Sequence, residues 1–301
     1  MKAIVIGAVA AVLLAAGMAQ ADFTLHGDEQ LTVNTSHEQG VLWDQSCATI
    51  VPGGAMHIMD SYNSSTVCMA GGSVYDLQAH GSSTVDMSGG ETYSLYSLRA
   101  YDTSTVVITG GETYSLYSLH AYDTSTVDMS GGSVYVLGAS GSSTVAMSGG
   151  SVYALGDSGS STVAMSGGSV YALHARETST VDMSGGSVSY LNAYETSTVD
   201  MSGGSVYALN AYDTSTVTFD GQDFLLGSGL SLNGNRILGT GDLYGEWSDG
   251  TLWTVHISGN DSGVTILAIP EPATLSLLAL LALSLPKRGG LAMLRRRRRM
   301  A

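Results

Sequence analysis

The sequence predicts an all-β chain, a parallel β-solenoid (β-helix) of about ten coils of 18–21 residues with small β caps. Three observations predict it. The triplet Ser-Thr-Val recurs nine times, with its threonine at 66, 84, 105, 126, 144, 162, 180, 198 and 216, a spacing of 18 broken by two steps of 21. A Gly-Gly pair follows at a matching distance, from Gly71-Gly72 to Gly203-Gly204, and Asp220-Gly221 replaces the last. Within each copy Thr-Val-Asp-Met alternates polar and apolar, the period of a half-buried strand. Paired glycines would cost a helix about 2 kcal/mol per copy, whereas Ser, Thr, Val and Tyr suit strands. An 18-residue unit is too short for a helix pair or a propeller blade, so each copy is one coil stacked on its neighbours.

The first element, residues 1–21, reads as a secretory signal peptide. Lys2 supplies the positive start, a short apolar run follows, and Ala19-Gln20-Ala21 is a small-residue cleavage site. Residues 22–45 are expected to cap the solenoid. Between Asp22 and Ile269, 25 acidic residues stand against three arginines (Arg99, Arg176, Arg236) and no lysine, which leaves 22 formal negative charges. Such a surface repels phosphate backbones and argues against nucleic acid as a partner.

Residues 46–221 are the solenoid repeats, with Gly53-Gly54 marking a degenerate first copy. Stacking gives every position a ladder of about 4.8 Å per rung, so ten coils make a rod about 48 Å long. Met69, Met87, Met129, Met147, Met165, Met183 and Met201 form one inward column, joined by Ile108 and Phe219; the triplet valines form a second. Leu77, Leu137, Leu155, Leu173, Leu191 and Leu209 form a third. The glycine pairs turn corners, where a positive φ costs them nothing. The two 21-residue copies duplicate Tyr-Ser-Leu as adjacent, matching bulges at one coil edge. Residues 222–269 form the second cap, with a hairpin turn at Ser248-Asp249-Gly250 in "LYGEWSDGTLWTVHIS".

Chemistry needs particular groups, and here almost every polar side chain is one of many copies, so no enzyme is expected. No serine sits in a Gly-x-Ser-x-Gly elbow, and the seven histidines show no metal spacing. His80, His120 and His174 are variants of surface positions, and no cofactor motif is found. Asp86, Asp128, Asp182 and Asp200 share one outward site, where Asp182 and Asp200 fall on adjacent rungs and repel unless a cation bridges them. The calcium nonapeptide Gly-Gly-x-Gly-x-Asp is missing, and Ala146 and Ala164 interrupt the column, which favours solvated carboxylates. Cys47 and Cys68 lie about one coil apart. A disulfide between them requires slippage in the first copy; otherwise they are free thiols. The pairs Thr103/Thr105, Thr124/Thr126, Thr178/Thr180, Thr196/Thr198 and Thr214/Thr216 resemble the flat ice-binding ladders of some antifreeze proteins, although Ser82, Ser142 and Ser160 interrupt them. Tyr101, Tyr122, Tyr194 and Tyr212 form an aromatic column suited to packing along the coil or to stacking on sugars.

The last element, residues 270–301, carries Pro270-Glu271-Pro272, an apolar run over Ala273 to Leu285, and the basic cluster Arg295, Arg296, Arg297, Arg298 and Arg299. It resembles the PEP-CTERM sorting signal, a region that also appears on proteins described as ice-binding. "GEWSDGTLW" together with the repeats is similar to repeat-rich exported proteins bearing this tail. The resemblance implies processing near the triad by an exosortase-type membrane protease and an association with exopolysaccharide and biofilm. One departure is Pro286-Lys287-Arg288-Gly289-Gly290, which interrupts the apolar segment. Thirteen apolar residues make a helix of about 20 Å, short of a hydrocarbon core of roughly 30 Å. Contact with the membrane through residues 273–294 is therefore expected to be transient, before processing. The expectation is an exported, non-enzymatic structural or adhesive protein of the cell surface or matrix. An ice-binding protein using the threonine ladders is the alternative.

Overall fold

The computed structural model describes residues 22–88, 93–110, 114–234, 236–260 and 265–270. The expected signal peptide, Glu271, Pro272, the apolar segment and the arginine cluster lie outside them. The described residues are all-β, and their strands stack in parallel to form a β-solenoid. Strand Thr144–Met147 pairs with Thr126–Met129 before it and Thr162–Met165 after it, each residue opposite its counterpart 18 positions away. The longer strand of the coil does the same, with Ser133–Ala139 beside Ser151–Asp157 and then Ser169–Ala175.

Alternation explains which side is which. In Thr144–Met147 the valine and methionine point inward and Thr144 and Ala146 outward. The predicted columns all form: the triplet valines are 0% exposed, the methionines at most 2%, and the six leucines 0%. Along Ser151–Asp157 the alternation breaks once, because Tyr153 and Ala154 both face outward. The pairing passes from Val152↔Val170 to Ala154↔Ala172 without the tyrosine, so the strand bends there. A regular coil thus turns at the Gly-Gly pair, at the tyrosine and at the corner before the Ser-Thr-Val triplet.

The glycine pair answers two separate constraints. A Cβ on Gly149, Gly167, Gly185 or Gly203 would run into the carbonyl oxygen of Ser130, Ser148, Ser166 or Ser184 one coil earlier. The second glycine of each of these pairs has φ between 76° and 78°, a left-handed conformation that only glycine adopts freely. In the first 21-residue copy the pairing runs at a spacing of 18 through Cys68↔Asp86 and of 21 from Ser73↔Ser94 onward.

Residues 22–45, the expected N-terminal cap, stack on the repeats as a further coil. Strand Gln30–Val33 pairs residue for residue with Cys47–Ile50, and Phe23–Leu25 pairs with Ser36–Leu42. Leu31 and Val33 stack in register with Ala48 and Ile50. The C-terminal cap forms as expected, but its last strand, Thr265–Pro270, runs one residue past the predicted end and lies parallel to Thr216–Leu226. The hairpin of Gly241–Glu246 and Leu252–Asn260 turns at Ser248-Asp249-Gly250, as predicted. It brings Trp247 and Trp253 over the open end of the core. Their rings stack at 4.7 Å, Trp253 stacks on Phe219 at 5.2 Å, and the Trp247 indole donates to the Gly204 carbonyl at 2.9 Å.

Candidate binding surfaces

A periodic rod presents columns rather than a single site. The turn column comes first, because it carries the threonine pairs on which the ice-binding alternative rests. The first threonine of each pair lies in a turn, the serine between the two is fully buried, and only the second begins a strand. Thr103, Thr124, Thr178, Thr196 and Thr214 donate their hydroxyls to the carbonyls of Gly81, Asp102, Gly159, Glu177 and Glu195 one coil earlier, at 2.7–3.0 Å. Thr105, Thr126, Thr180 and Thr198 are only half-exposed. The array is therefore stepped across a corner, and its outer hydroxyls are engaged with backbone.

The acidic residue before each turn threonine takes a positive φ: Asp102, Asp123, Glu177, Glu195 and Asp213 all lie at 57–58°. Their carboxylates accept from the preceding coil's backbone, as in Gly159 N–H to Glu177 at 3.0 Å and Glu195 N–H to Asp213 at 3.1 Å. Hydrogen bonding of this kind offsets the left-handed strain. These acids are structural staples of the corner.

The carboxylates of the short strand are different. Asp128, Asp182 and Asp200 are exposed and make no hydrogen bond or ion pair with any described residue. They flank a groove of about 630 Å³ that runs along the rod. One wall is the outward column Val107, Asp128, Ala146, Ala164, Asp182, Asp200 and Thr218; the other is Thr109, Ser130, Ser148, Ser166, Ser184, Ser202 and Asp220. The inward-pointing methionines lie between the two columns and leave the floor. Asp182 sits opposite Asp200 in register, and burial followed by the Asp200 charge raises its pKa above the usual carboxylate value. Among the described residues no three His, Cys, Asp or Glu side chains converge to hold a metal ion.

Cys47 and Cys68 are free thiols. Cys47 sits opposite Thr66, and Cys68 opposite Thr49, so they occupy a diagonal two residues apart. Stacking of Ala48 on Val67 and Ile50 on Met69 pins that register, which leaves the two thiols within hydrogen-bonding reach of each other across the diagonal. Burial, then the neighbouring Cys47 and Asp86, pushes the Cys68 thiol up to about 11, which keeps it protonated and unreactive at neutral pH.

Two aromatic columns complete the surface. The expected one runs Trp43, Tyr62, His80, Tyr101 and Tyr122, with stacked rings 4.3–5.1 Å apart, and resumes at Tyr194 and Tyr212. His80 is thus one more stacked ring. His120 and His174 belong to the neighbouring column, and burial lowers the pKa of each. Arg176 covers Tyr194 at 5.4 Å. The second column was missed. Tyr75, Tyr96, Tyr117, Tyr135, Tyr153 and Tyr171 stand at the strand bend, 47–51% exposed, stacked at 4.8–5.3 Å with interplanar angles of 2–18°. The recurring Val-Tyr after the glycine pair was the available signal; the extra Tyr-Ser-Leu copies obscured it.

One group sits on the inside. Asp157 is 1% exposed, in a column filled by Ala79, Ala100, Ala121, Ala139, Ala175, Ala193 and Ala211. Ser161 donates to its Oδ1, and its Oδ2 has no partner. Burial pushes its pKa up to about 6 against the pull of Ser161 and Ser179.

No family model, curated protein or solved structure matches the chain. No helix among the described residues is long and apolar enough to cross a membrane.

Proposed function

We propose that this protein is an exported, non-enzymatic structural or adhesive component of the cell surface or extracellular matrix, delivered by its PEP-CTERM-like tail and associated with exopolysaccharide. The observation that carries the reading is the tyrosine ridge, six successive rungs with the same half-exposed ring. Ring faces in that ridge are covered by their neighbours, so what it offers outward is a comb of phenol edges and hydroxyls, one per rung. Each hydroxyl contributes only about 1 kcal/mol to a sugar contact. A comb engages many units of one polymer at once, and linked weak contacts add up to a firm hold. A rod capped at its C-terminal end by stacked tryptophans keeps that comb straight and soluble.

The test has two parts. Purified exported protein is expected to pull down native exopolysaccharide and to score on a glycan array; if both come up empty, the binding half of the reading falls. Cell fractionation with determination of the mature C-terminus is expected to find the chain cut near Pro270, Glu271 and Pro272. An intact arginine cluster in the membrane would refute sorting.

A further inference from the structure

The groove beside the short strands has a composition that the tyrosine comb does not explain. It crosses seven coils, from Val107 to Thr218, about 29 Å at the usual rung spacing. Its volume of about 630 Å³ falls in the range of ligand sites. Ala146 and Ala164 make an apolar stretch two rungs long at its centre. Serine hydroxyls line the facing wall on successive rungs, and carboxylates stand on both sides of the apolar stretch, Asp128 before it and Asp182 and Asp200 after it.

Those carboxylates make no ion pair with any described residue. Arg99 is held by Asp76 at 3.0 Å and Arg176 lies on Tyr194, so neither neutralises the groove. Asp182 and Asp200 face each other across one rung, an arrangement that costs energy until a positive charge enters. Burial first, and the Asp200 charge second, raise the Asp182 pKa. Anionic polymers are excluded by sign. A calcium ion calls for six to eight oxygens, more than the two adjacent carboxylates supply. A bare polyamine would meet the charges and leave the apolar stretch and the serine wall unused.

We propose that this groove holds a linear amino-sugar polymer with free amines, lying along the rod axis. Pyranose rings present an apolar face of axial C–H bonds to Ala146 and Ala164 and hydroxyls to the serine wall, while protonated amines meet Asp128, Asp182 and Asp200. A pyranose unit in an extended chain advances by about as much as one rung, so contacts repeat in step. The inference rests on the polysaccharide reading above and narrows it to a cationic glycan.

Calorimetry on the purified exported protein tests it with three probes: a β-1,4-glucosamine hexamer, its fully N-acetylated counterpart, and spermine. The glucosamine hexamer is expected to bind, to weaken as salt rises, and to lose affinity by about tenfold or more in D182N/D200N. A146R/A164R, which fills the apolar stretch and brings positive charge, is expected to abolish binding. Both variants change exposed or half-exposed positions, and thermal melting confirms that they fold. Equal binding of the acetylated hexamer, binding of spermine as tight as that of the glycan, or unchanged affinity in both variants would overturn the proposal. Native exopolysaccharide bound equally well by wild type and both variants sinks the groove but leaves the wider reading standing. Loss of native binding only when the tyrosine ridge is altered does the same.

Discussion

Inside the coil, the same positions carry the same residues at nearly every rung. Outside, one column passes through Thr49, Cys68, Asp86, Val107, Asp128, Ala146 and Asp182. The difference follows from packing. Inward side chains fill one closed volume at close to crystal density, so a change at one rung is felt above and below. An outward side chain answers only to its own neighbours, and most substitutions there are tolerated. Two positions cross this division: Asp157 is polar where the inside is apolar, and the tyrosine ridge repeats where the outside is free.

The largest effect is expected from the inside. Leu155→Ala empties a fully buried site between Leu137 and Leu173, and truncations of this kind cost about 2–5 kcal/mol. Because each coil contacts only its neighbours, hydrogen exchange should quicken in the adjacent coils before the distant ones. Uniform acceleration along the rod would show that the stack unfolds as one unit.

Asp157 is the exception that should reverse the sign. Its folded pKa is about 6 against an ordinary 3.8, so the native state holds the proton more tightly than the unfolded chain. Stability from this group is therefore present below about pH 4, falls as pH rises towards 6, and is lost above that. Two pKa units correspond to about 3 kcal/mol. Asp157→Ala restores the column's own residue and should stabilise the protein by up to that amount at pH 7. The gain should disappear near pH 4, where wild-type Asp157 is largely protonated. Denaturant melts of both proteins at the two pH values decide it; an equal difference at both would show that the carboxyl does not titrate with folding.

A smaller cost is expected at the corner. Gly168 holds φ at 78°, and a Cβ there would sit 2.7 Å from the Gly149 carbonyl oxygen. Left-handed strain in a non-glycine residue runs to about 1–3 kcal/mol. Gly168→Ala should lower the melting temperature, while Gly156→Ala, with open space around it, should not. Equal loss at both positions would shift the explanation from geometry to the unfolded chain.

Most of the inside was legible, because an 18-residue spacing combined with strict alternation assigns valine, methionine and leucine to columns without any coordinates. The first coil was not. Gln30–Val33 keeps the alternation of Leu31 and Val33 but has neither Ser-Thr-Val nor paired glycines; its register to the next coil is 17 residues, and that coil's register to the one after is 19. The threonine corner was hard to read for a related reason: alternation across Thr-Ser-Thr mimics a strand, whereas a buried serine and a positive-φ acid make a corner. The groove was hidden because it lies between two outward columns whose separation the sequence does not print. Tyr190 shows the limit again. In "SVSYLNA" it slips one place to lie opposite Ala172, and it meets Tyr171 edge-on at 72° where the rings below are stacked.

The tyrosine ridge gives the smallest expected stability effect and the sharpest functional one. Tyr135 is 48% exposed and stacks on Tyr117 at 5.3 Å and Tyr153 at 4.9 Å. An aromatic contact beyond simple burial contributes about 0.5–1.5 kcal/mol; Tyr135 makes two, with half of the ring already in water, so Tyr135→Ser should cost about 1–2 kcal/mol. The variant also uncovers one face each of Tyr117 and Tyr153. If the comb works through phenol edges, a gap of one rung should weaken retention of native exopolysaccharide in proportion to the hydroxyl lost. If sugars bind instead by stacking on ring faces, the same gap creates two new faces and retention should rise. Measuring retention for Tyr135→Ser beside Tyr135→Phe separates the two, because the phenylalanine keeps the faces covered and removes only the hydroxyl.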